Sequence, residues 1–445
     1  MNTSNIHSHK VSLRLAITDA LVAGLIALVL FGPIVGLVLD GYELRNNMGV
    51  AFIFVAIITT GRFFASLFFQ SPIGVRFLEK FARGRKVRVT VAQASTNKFK
   101  KLLLPAIFLA ALSYPVIAHV APDLLGVFGG KYGITIMILA LIYVLLGLGL
   151  NIVVGLAGLL DLGYVAFYAI GAYWLTIGYA ELGLGFWSVL IISPIFAAGC
   201  GAILGFPVLR MHGDYLAIVT LGFGEIIRLV LNNWTSLTRG PNGMSAPDVT
   251  FFNMLSFNKR GADNLQPFHE FFGLEYSSSF QFIYIYWLLL IVVFLVLYIN
   301  HRLVQMPVGR AWEALREDEI ACRSLGLNHV LVKLSAFMIG ASVGGVAGVF
   351  FASYQGFVNP SSFTFLESAL IVAIVVLGGL GSALGVTIAA IVLTLLPELL
   401  REFSDYRVLM FGILMIVMMI WRPRGLVKPV RPAFESDKEQ VKQKA

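Results

Sequence analysis

The chain has 445 residues, of which 58% are apolar and only 13% are Asp, Glu, Lys or Arg. Charged residues make up about 25% of a soluble protein, so these few charges cannot cover a surface in water, and a soluble enzyme is excluded. Continuous apolar runs of about 20 residues also argue against an outer-membrane barrel, which needs short alternating strands. The composition therefore predicts an all-α, polytopic transmembrane helical bundle, because helices satisfy their own backbone groups in lipid.

The net charge of +9 comes from basic residues that flank the apolar runs. This is the positive-inside pattern of membrane proteins, so we expect contact with membrane lipid and no nucleic-acid partner. The two cysteines, Cys200 and Cys322, lie far apart, which predicts neither a disulfide framework nor a metal site. No catalytic pattern lies in a span and no P-loop is present, so we predict no catalytic residue, no cofactor and no ATP hydrolysis by this chain.

The predicted membrane spans follow from apolar runs long enough to cross a bilayer. In chain order they are Ile17–Leu39, Val50–Phe69, Leu102–Val120, Tyr132–Gly155, Tyr164–Tyr179, Phe186–Leu209, Asp214–Leu231, Phe280–Ile299, Leu334–Ala352, Glu367–Leu400 and Val408–Trp421. With one of them broken or re-entrant, they make about 11–12 membrane segments. Residues 1–101 then form an N-terminal extension with two spans and a basic loop, residues 102–426 the helical core, and residues 427–445 a basic tail.

The loop charges predict one orientation. Ser71–Lys101 carries nine basic residues and one acidic residue, which places it in the cytoplasm. Counting spans forward places Asn232–Ser279 outside and His301–Lys333 inside. The tail after Trp421 has seven basic residues and should also lie inside, so both termini are predicted to be cytoplasmic.

The chain must cross the membrane an even number of times between Lys333 and the tail, because both are predicted to lie inside. Glu367–Leu400 must therefore return to the side from which it enters. As a single helix its 34 residues would be about 50 Å long, against a hydrocarbon core of about 30 Å. Glycine is unfavourable inside a helix, so Gly378, Gly379 and Gly381 predict a break near the middle. The run would then either cross twice or form a re-entrant hairpin.

A charged, helix-prone segment, GRAWEALREDEIACRSLG at Gly309–Gly326, lies on the predicted cytoplasmic side. Its Ala, Glu, Leu and Arg residues favour a short helix, and Gly326 is suited to end it. Such a helix is a docking surface for a soluble partner, although the pattern alone also fits a solvated loop.

The same segment closely resembles the coupling loop of ABC importer permeases of the branched-chain amino-acid class. Further stretches resemble that family in the same order: GLGLN (147–151), VVGLAG (153–158), FYAIGAY (167–173), GDYLAIVTLGFGE (213–225), TRGPNG (238–243) and WRPRGL (421–426). The resemblance covers roughly residues 134–426, and the spans before Leu102 resemble the N-terminal extension of the larger of the two permease subunits.

The resemblance implies a permease subunit that moves branched-chain or related amino acids across the bacterial inner membrane by alternating access. It implies four partners, which are a second permease subunit, two ATP-binding subunits and a periplasmic amino-acid-binding protein. The residues assigned to the coupling loop are Glu313, Arg316, Asp318, Glu319 and Gly326.

The chain departs from the family pattern in two places. The Glu-Ala-Ala-x-x-x-Gly frame of importer loops falls on Ile320–Cys322, where the glutamate is absent, so docking is expected to use Arg316, Asp318 and Glu319 instead. In the family's Gly-Gly-Pro-Asn-Gly turn, Arg239 replaces the first glycine.

A path for an amino acid needs polar groups and helix ends inside the apolar bundle. The sequence offers another glycine-rich break, at Gly155–Gly163, which contains Asp161. Asn151, Tyr168 and Glu225 are further candidates for the path. Each has a structural alternative, which is a capping role for Asp161, helix packing for Asn151 and Tyr168, and an ion pair with Arg228 for Glu225.

Two other functions remain open. An ion-coupled secondary transporter would need an obligatory carboxylate within the membrane, for which Asp161 and Glu225 are the candidates. A permease of the same fold that carries urea or another amide would differ only in pocket contacts.

Overall fold

The chain forms two compact units, Met1–Ile107 and Phe108–Ala445. The division falls six residues after the predicted boundary at 101/102. The computed structural model describes residues 37–40, 43–46, 56, 59, 60, 109–122, 128–208, 211, 214–251, 254–259, 265–273, 275–399, 409, 412, 413, 416 and 425–427. Most of the predicted spans Ile17–Leu39, Val50–Phe69 and Val408–Trp421 lies outside the described residues, as do the loop Ser71–Lys101 and nearly all of the tail.

In the first unit, two strands form an antiparallel hairpin, β1 (Leu37–Asp40) and β2 (Glu43–Asn46). The prediction of helix for the last three residues of the first span is therefore wrong. Asp40 pairs with Glu43, so only Gly-Tyr lies between the strands in the sequence. A two-residue connection that begins with glycine is typical of a tight hairpin, and it outweighs the apolar run that precedes it.

In the second unit the described residues are mainly helical. The helices are α1 (Leu109–Val120), α2 (Gly130–Leu150), α3 (Val165–Leu182), α4 (Phe186–Val208), α5 (Asp214–Asn233), α6 (Thr235–Thr238), α7 (Phe268–Phe272), α8 (Ser279–Gln305), α9 (Pro307–Glu317), α10 (Glu319–Ser324), α11 (His329–Gln355), α12 (Phe365–Gly378) and α13 (Ala383–Leu399). A π-helical turn, Asn151–Leu156, extends α2.

Among the described residues, six helical stretches have the length and hydropathy of a membrane crossing. They are Gly130–Leu156, Phe186–Phe206, Tyr215–Asn233, Ser279–Gln305, His329–Gln355 and Pro360–Gly378. The predicted all-α membrane bundle is confirmed. The predicted span Tyr164–Tyr179 is also helical, as α3, but is not among the six.

The short strands lie in the connections at one end of the bundle. Strand β3 (Met244–Ser245) pairs antiparallel with β7 (Phe357–Val358), which ties the long connection after α5 to the residues that follow α11. Within that connection, β4 (Thr250–Phe251) pairs antiparallel with β5 (Leu255–Ser256), and β5 pairs parallel with β6 (Gln266–Pro267). The predicted outer loop is therefore folded against the bundle.

Helix α11 lies at the centre of the unit and packs against α2, α3 and α4. Its glycines permit close approach to the backbones of its neighbours. A Cβ added at Gly348 would lie 2.2 Å from the Tyr168 carbonyl oxygen, and one at Gly345 would lie 2.5 Å from the Cβ of Ala197. Small residues are used in this way in membranes, where helix association depends on close packing rather than on the exclusion of water.

We expect Gly348→Ala to destabilise the protein by about 1–3 kcal/mol, because the added methyl group overpacks a helix crossing made by backbone atoms. Thermal unfolding of the purified protein in detergent measures this. Gly199→Ala is the matched control, since no atom lies within 4 Å of a Cβ added there. Equal melting temperatures for the two variants would contradict the packing account.

Candidate functional site

Two short helices, rather than the single one predicted, form the charged segment between α8 and α11. Helix α9 ends at Glu317 and α10 begins at Glu319, while Asp318 between them is extended. The Asp318 carboxylate accepts hydrogen bonds from the amides of Ile320 and Ala321, at 2.9 and 3.0 Å. An aspartate at this position satisfies the free amides of a helix start, and it therefore favours a new helix over continuation of the first. We call residues 307–326 the docking segment.

Trp312 anchors the docking segment to the bundle. Its side chain is fully buried, and its indole nitrogen donates to the Val332 carbonyl and the Ser335 hydroxyl, both at 3.0 Å. Leu315, one turn further along α9, is also buried. Sequence reasoning missed this anchor, although two large apolar residues three apart in a charged helix indicate a buried face.

The charged residues predicted for docking are engaged within the chain. Glu319 bonds to the buried Lys333 and to Arg323, both at 2.7 Å. Arg316 donates to the carbonyl oxygen of Gly155. Glu313 is half-buried.

The docking segment exposes large apolar side chains among its charged ones. Ile320 and Leu325 are 77% and 82% exposed, and Leu331, at the start of α11, is 61% exposed. Gly326 has a φ of +82°, a left-handed conformation that suits glycine and ends α10. Arg316, Asp318 and Glu319, which are predicted to dock a partner, thus each bond to another group of the chain.

The glycine-rich break at Gly155–Gly163, which we call the first break, lies against the docking segment. The π-helical turn ends at Leu156, and no regular helix resumes until α3 begins at Val165. A cavity of about 230 Å³ lies where this break meets the docking segment, and Gly158, Arg316 and Lys333 are among the residues that line it.

The break predicted at Gly378–Gly381, which we call the second break, contacts the first break. Helix α12 ends at Gly378 and α13 begins at Ala383, with Gly379 and Gly381 at φ values of +105° and +87°. The amide of Gly381 donates to the side-chain oxygen of Asn151 at 2.9 Å. A Cβ at Gly155 would lie only 2.1 Å from that oxygen, so the contact requires glycine.

The segment just after the last predicted span also meets the second break. The amides of Leu426 and Val427 donate to the carbonyls of Leu377 and Gly378, at 2.9 and 3.3 Å. These carbonyls end α12, where a helix leaves acceptors unsatisfied. Residues 425–427 therefore lie at the same end of the bundle as the docking segment.

The four candidates for the substrate path have different surroundings. The Asn151 side chain is fully buried at the contact between the breaks. Tyr168 packs in an aromatic cluster, with ring centroids 5.1 Å from Phe351 and 5.2 Å from Phe363. Both side chains thus have structural contacts.

Asp161 is buried in the connection between α2 and α3, where it accepts a hydrogen bond of 2.9 Å from the amide of Gly163. Burial raises the pKa of its carboxyl to about 6, against the opposing effect of that hydrogen bond. This is the geometry of a turn-capping aspartate.

Glu225 differs from the other three, because it pairs with Arg228 at 2.8 Å and both side chains are about one-third exposed. A charge at the centre of a bilayer costs roughly 2.5–3.5 kcal/mol by insertion measurements, so this pair is not suited to face lipid. Among the described residues no three His, Cys, Asp or Glu side chains lie close enough together to hold a metal ion.

Comparison with known proteins places this arrangement in a family. The family described as "Branched-chain amino acid transport system / permease component" matches residues 133–421. A second family, described only as a domain of unknown function, matches residues 15–114. No solved structure matches the chain.

Individual relatives agree with the family match. The chain is 50% identical to the high-affinity branched-chain amino acid transport system permease protein LivM of Escherichia coli (strain K12), over 80% of this chain and 81% of that protein. It is 48% identical to LivM of Salmonella typhimurium, over 82% of this chain and 83% of that protein. The permease protein LivH of Escherichia coli (strain K12) is 25% identical over 66% of this chain.

These matches do not favour an ion-coupled transporter or a urea permease. Helices α3 to α13, the two joined breaks and the docking segment all lie within the matched residues. The chain belongs to the permease family of branched-chain amino-acid transport systems and is a permease subunit of an ABC importer.

Proposed function

We propose that the docking segment binds one of two ATP-binding subunits and passes their movement to the two glycine-rich breaks. The observation that carries this proposal is that the docking segment exposes Ile320 and Leu325. The same segment is fixed to the bundle by the contacts of Trp312 and Lys333. Exposed apolar side chains on a segment that faces the aqueous solvent are typical of a protein interface. This chain then couples to ATP hydrolysis without carrying it out.

The hydrogen bonds at the breaks support a path for that movement. Arg316 attaches the docking segment to Gly155, and Asn151 attaches the same break to Gly381. A push on α9 reaches α2, α12 and α13 through polar contacts between irregular backbone segments. Discontinuous helices form the substrate sites of many transporters, so a movement that reaches these breaks would also reach the substrate path.

The other partners follow from the family. The relatives include two different permease proteins, LivM and LivH, of high-affinity branched-chain amino-acid systems, which supports a second permease subunit beside this one. A periplasmic amino-acid-binding protein would meet the opposite end of the bundle, where the folded connection after α5 lies. Of the four path candidates, we retain a path role for Glu225 and assign structural roles to Asn151, Asp161 and Tyr168.

We further propose that the docking segment and the C-terminus lie in the cytoplasm and that the bundle sits in the bacterial inner membrane. The basic residues at 301–333 support this orientation, and residues 425–427 meet the bundle at the same end. The N-terminus is assigned to the cytoplasm from the charge of the loop Ser71–Lys101 alone.

The double variant Ile320→Asp/Leu325→Asp should abolish copurification of the ATP-binding subunits, because two charges would replace the apolar contact surface. The expected loss is at least ten-fold in bound ATPase per permease, measured by quantitative gel or mass spectrometry. Met254→Asp is the matched control, since Met254 is 72% exposed in the connection at the other end of the bundle. Normal ATPase recovery with the double variant would show that the contact surface lies elsewhere.

Single cysteines test the orientation. In a background lacking Cys200 and Cys322, we expect Ser245→Cys to react with an impermeant maleimide in intact spheroplasts, and Ser324→Cys to react only after the membrane is opened. Both serines are exposed, so burial does not interfere. The reverse labelling pattern would invert the proposed topology.

A further inference from the structure

The ion pair between Glu225 and Arg228 lies near the middle of a membrane span. The span in α5 runs from Tyr215 to Asn233, so Glu225 is one residue past its midpoint. The pair is closed through the Nε of Arg228 and the Oε2 of Glu225, at 2.8 Å, and the side chains remain 33% and 35% exposed. Charged atoms at this depth need a polar or protein environment rather than lipid.

The spans in α4 and α8 are about as exposed as the span in α5, and they show the composition of a lipid-facing surface in this protein. The spans in α4 and α5 are each 28% buried, and that in α8 is 33% buried. Helix α4 contains no charged residue, and the charges of α8 are confined to its last turns, at His301 and Arg302. Both faces suit hydrocarbon, whereas the α5 face does not. The exposed face of α5 therefore requires polar or protein surroundings.

The ion pair has unused hydrogen-bonding capacity. Within the part of the chain that the structure describes, the two terminal nitrogens of the Arg228 guanidinium and the Oε1 of Glu225 make no hydrogen bond. A guanidinium binds a carboxylate through two parallel hydrogen bonds, and a carboxylate oxygen accepts from an ammonium group. The free groups thus match the two charged ends of a free amino acid.

Apolar side chains flank the pair on the same exposed face. Leu229 is 49% exposed and lies one helical turn after Glu225, and Ile218 is 64% exposed and lies two turns before it. An amino acid held by its ammonium and carboxylate would place an aliphatic side chain beside them. This combination of a zwitterion site and an apolar flank fits a branched-chain substrate.

We propose that the Glu225–Arg228 pair opens to bind the substrate as it passes α5, with Arg228 holding its carboxylate and Glu225 its ammonium group. The inference rests on the importer function of the chain. Without substrate the two side chains satisfy each other. When the substrate arrives, each charge exchanges one partner for another, so no unpaired charge is left within the membrane.

The test separates a substrate site from a structural ion pair. Removing one member of a structural pair leaves an unpaired charge, whereas removing both relieves it. We therefore compare Glu225→Gln, Arg228→Gln and the double variant in the complete transporter, reconstituted in proteoliposomes with its binding protein. Uptake of radiolabelled leucine and ATP hydrolysis are measured together, with Arg302→Gln as the control for loss of a cation from a span.

We expect leucine uptake to fall at least ten-fold in both single variants and equally in the double variant, while ATP hydrolysis stays within two-fold of the unaltered complex. Recovery of uptake in the double variant would show that the pair is only structural. A double variant that no longer purifies with its partner subunits would assign the pair to the subunit interface, and would also overturn the proposal. Leucine uptake by the unaltered complex tests the importer function separately.

Discussion

The hydrogen bond between Asn151 and the amide of Gly381 holds together the two places where the bundle departs from regular helix. Both breaks expose backbone groups that lipid cannot satisfy, so they persist only where protein groups satisfy them. The Asn151 side chain accepts from the amide of Gly381 in the second break, and Arg316 donates to the carbonyl of Gly155 in the first. The amide of Leu426 donates to the carbonyl of Leu377 at the end of α12. The docking segment and the residues that follow the last span are therefore attached to the same polar junction.

Glycine makes this junction possible in a way that no other residue does. At Gly155 a side chain would displace the Asn151 amide, and at Gly425 a Cβ would lie 2.3 Å from the Cα of Gly379. The same need for close approach recurs along α11, where glycines face the backbones of α3 and the small side chains of α4. Glycine-packed helices thus adjoin an irregular junction at one end of the bundle. We therefore expect movement to occur at the breaks, since packed helices move as bodies and irregular backbone absorbs the change.

Much of the helical architecture was predictable, because long apolar runs dominate the sequence and membrane helices need little else to be recognised. The helix ends at Gly378 and Gly326 could also be anticipated from glycine chemistry. The hairpin at Leu37–Asn46 and the division of the docking segment at Asp318 could not. In both cases a local turn or helix cap determines the structure against the preference of the surrounding residues. Composition alone does not show whether the turn or the surrounding preference decides the local structure.

The roles within the site were less accessible. The resemblance to importer coupling loops predicts docking through Arg316, Asp318 and Glu319, yet the partners of these residues within the chain emerge only in three dimensions. Lys333 lies fourteen residues from Glu319, and Gly155 lies 161 residues from Arg316. The sequence places Ile320 and Leu325 in a charged segment but does not show that their side chains are exposed. The exposure of Glu225 and Arg228 likewise depends on which face of α5 the bundle leaves uncovered.

The number of leucine molecules imported per ATP hydrolysed tests the central role of the junction most directly. In reconstituted transporter carrying Arg316→Gln, the docking segment keeps its Trp312 and Lys333 anchors but loses its contact with the first break. The account predicts continued ATP hydrolysis with at least a ten-fold lower ratio, whereas Arg323→Gln in the same segment leaves the ratio unchanged. An unaltered ratio in the Arg316 variant would contradict transmission through Gly155.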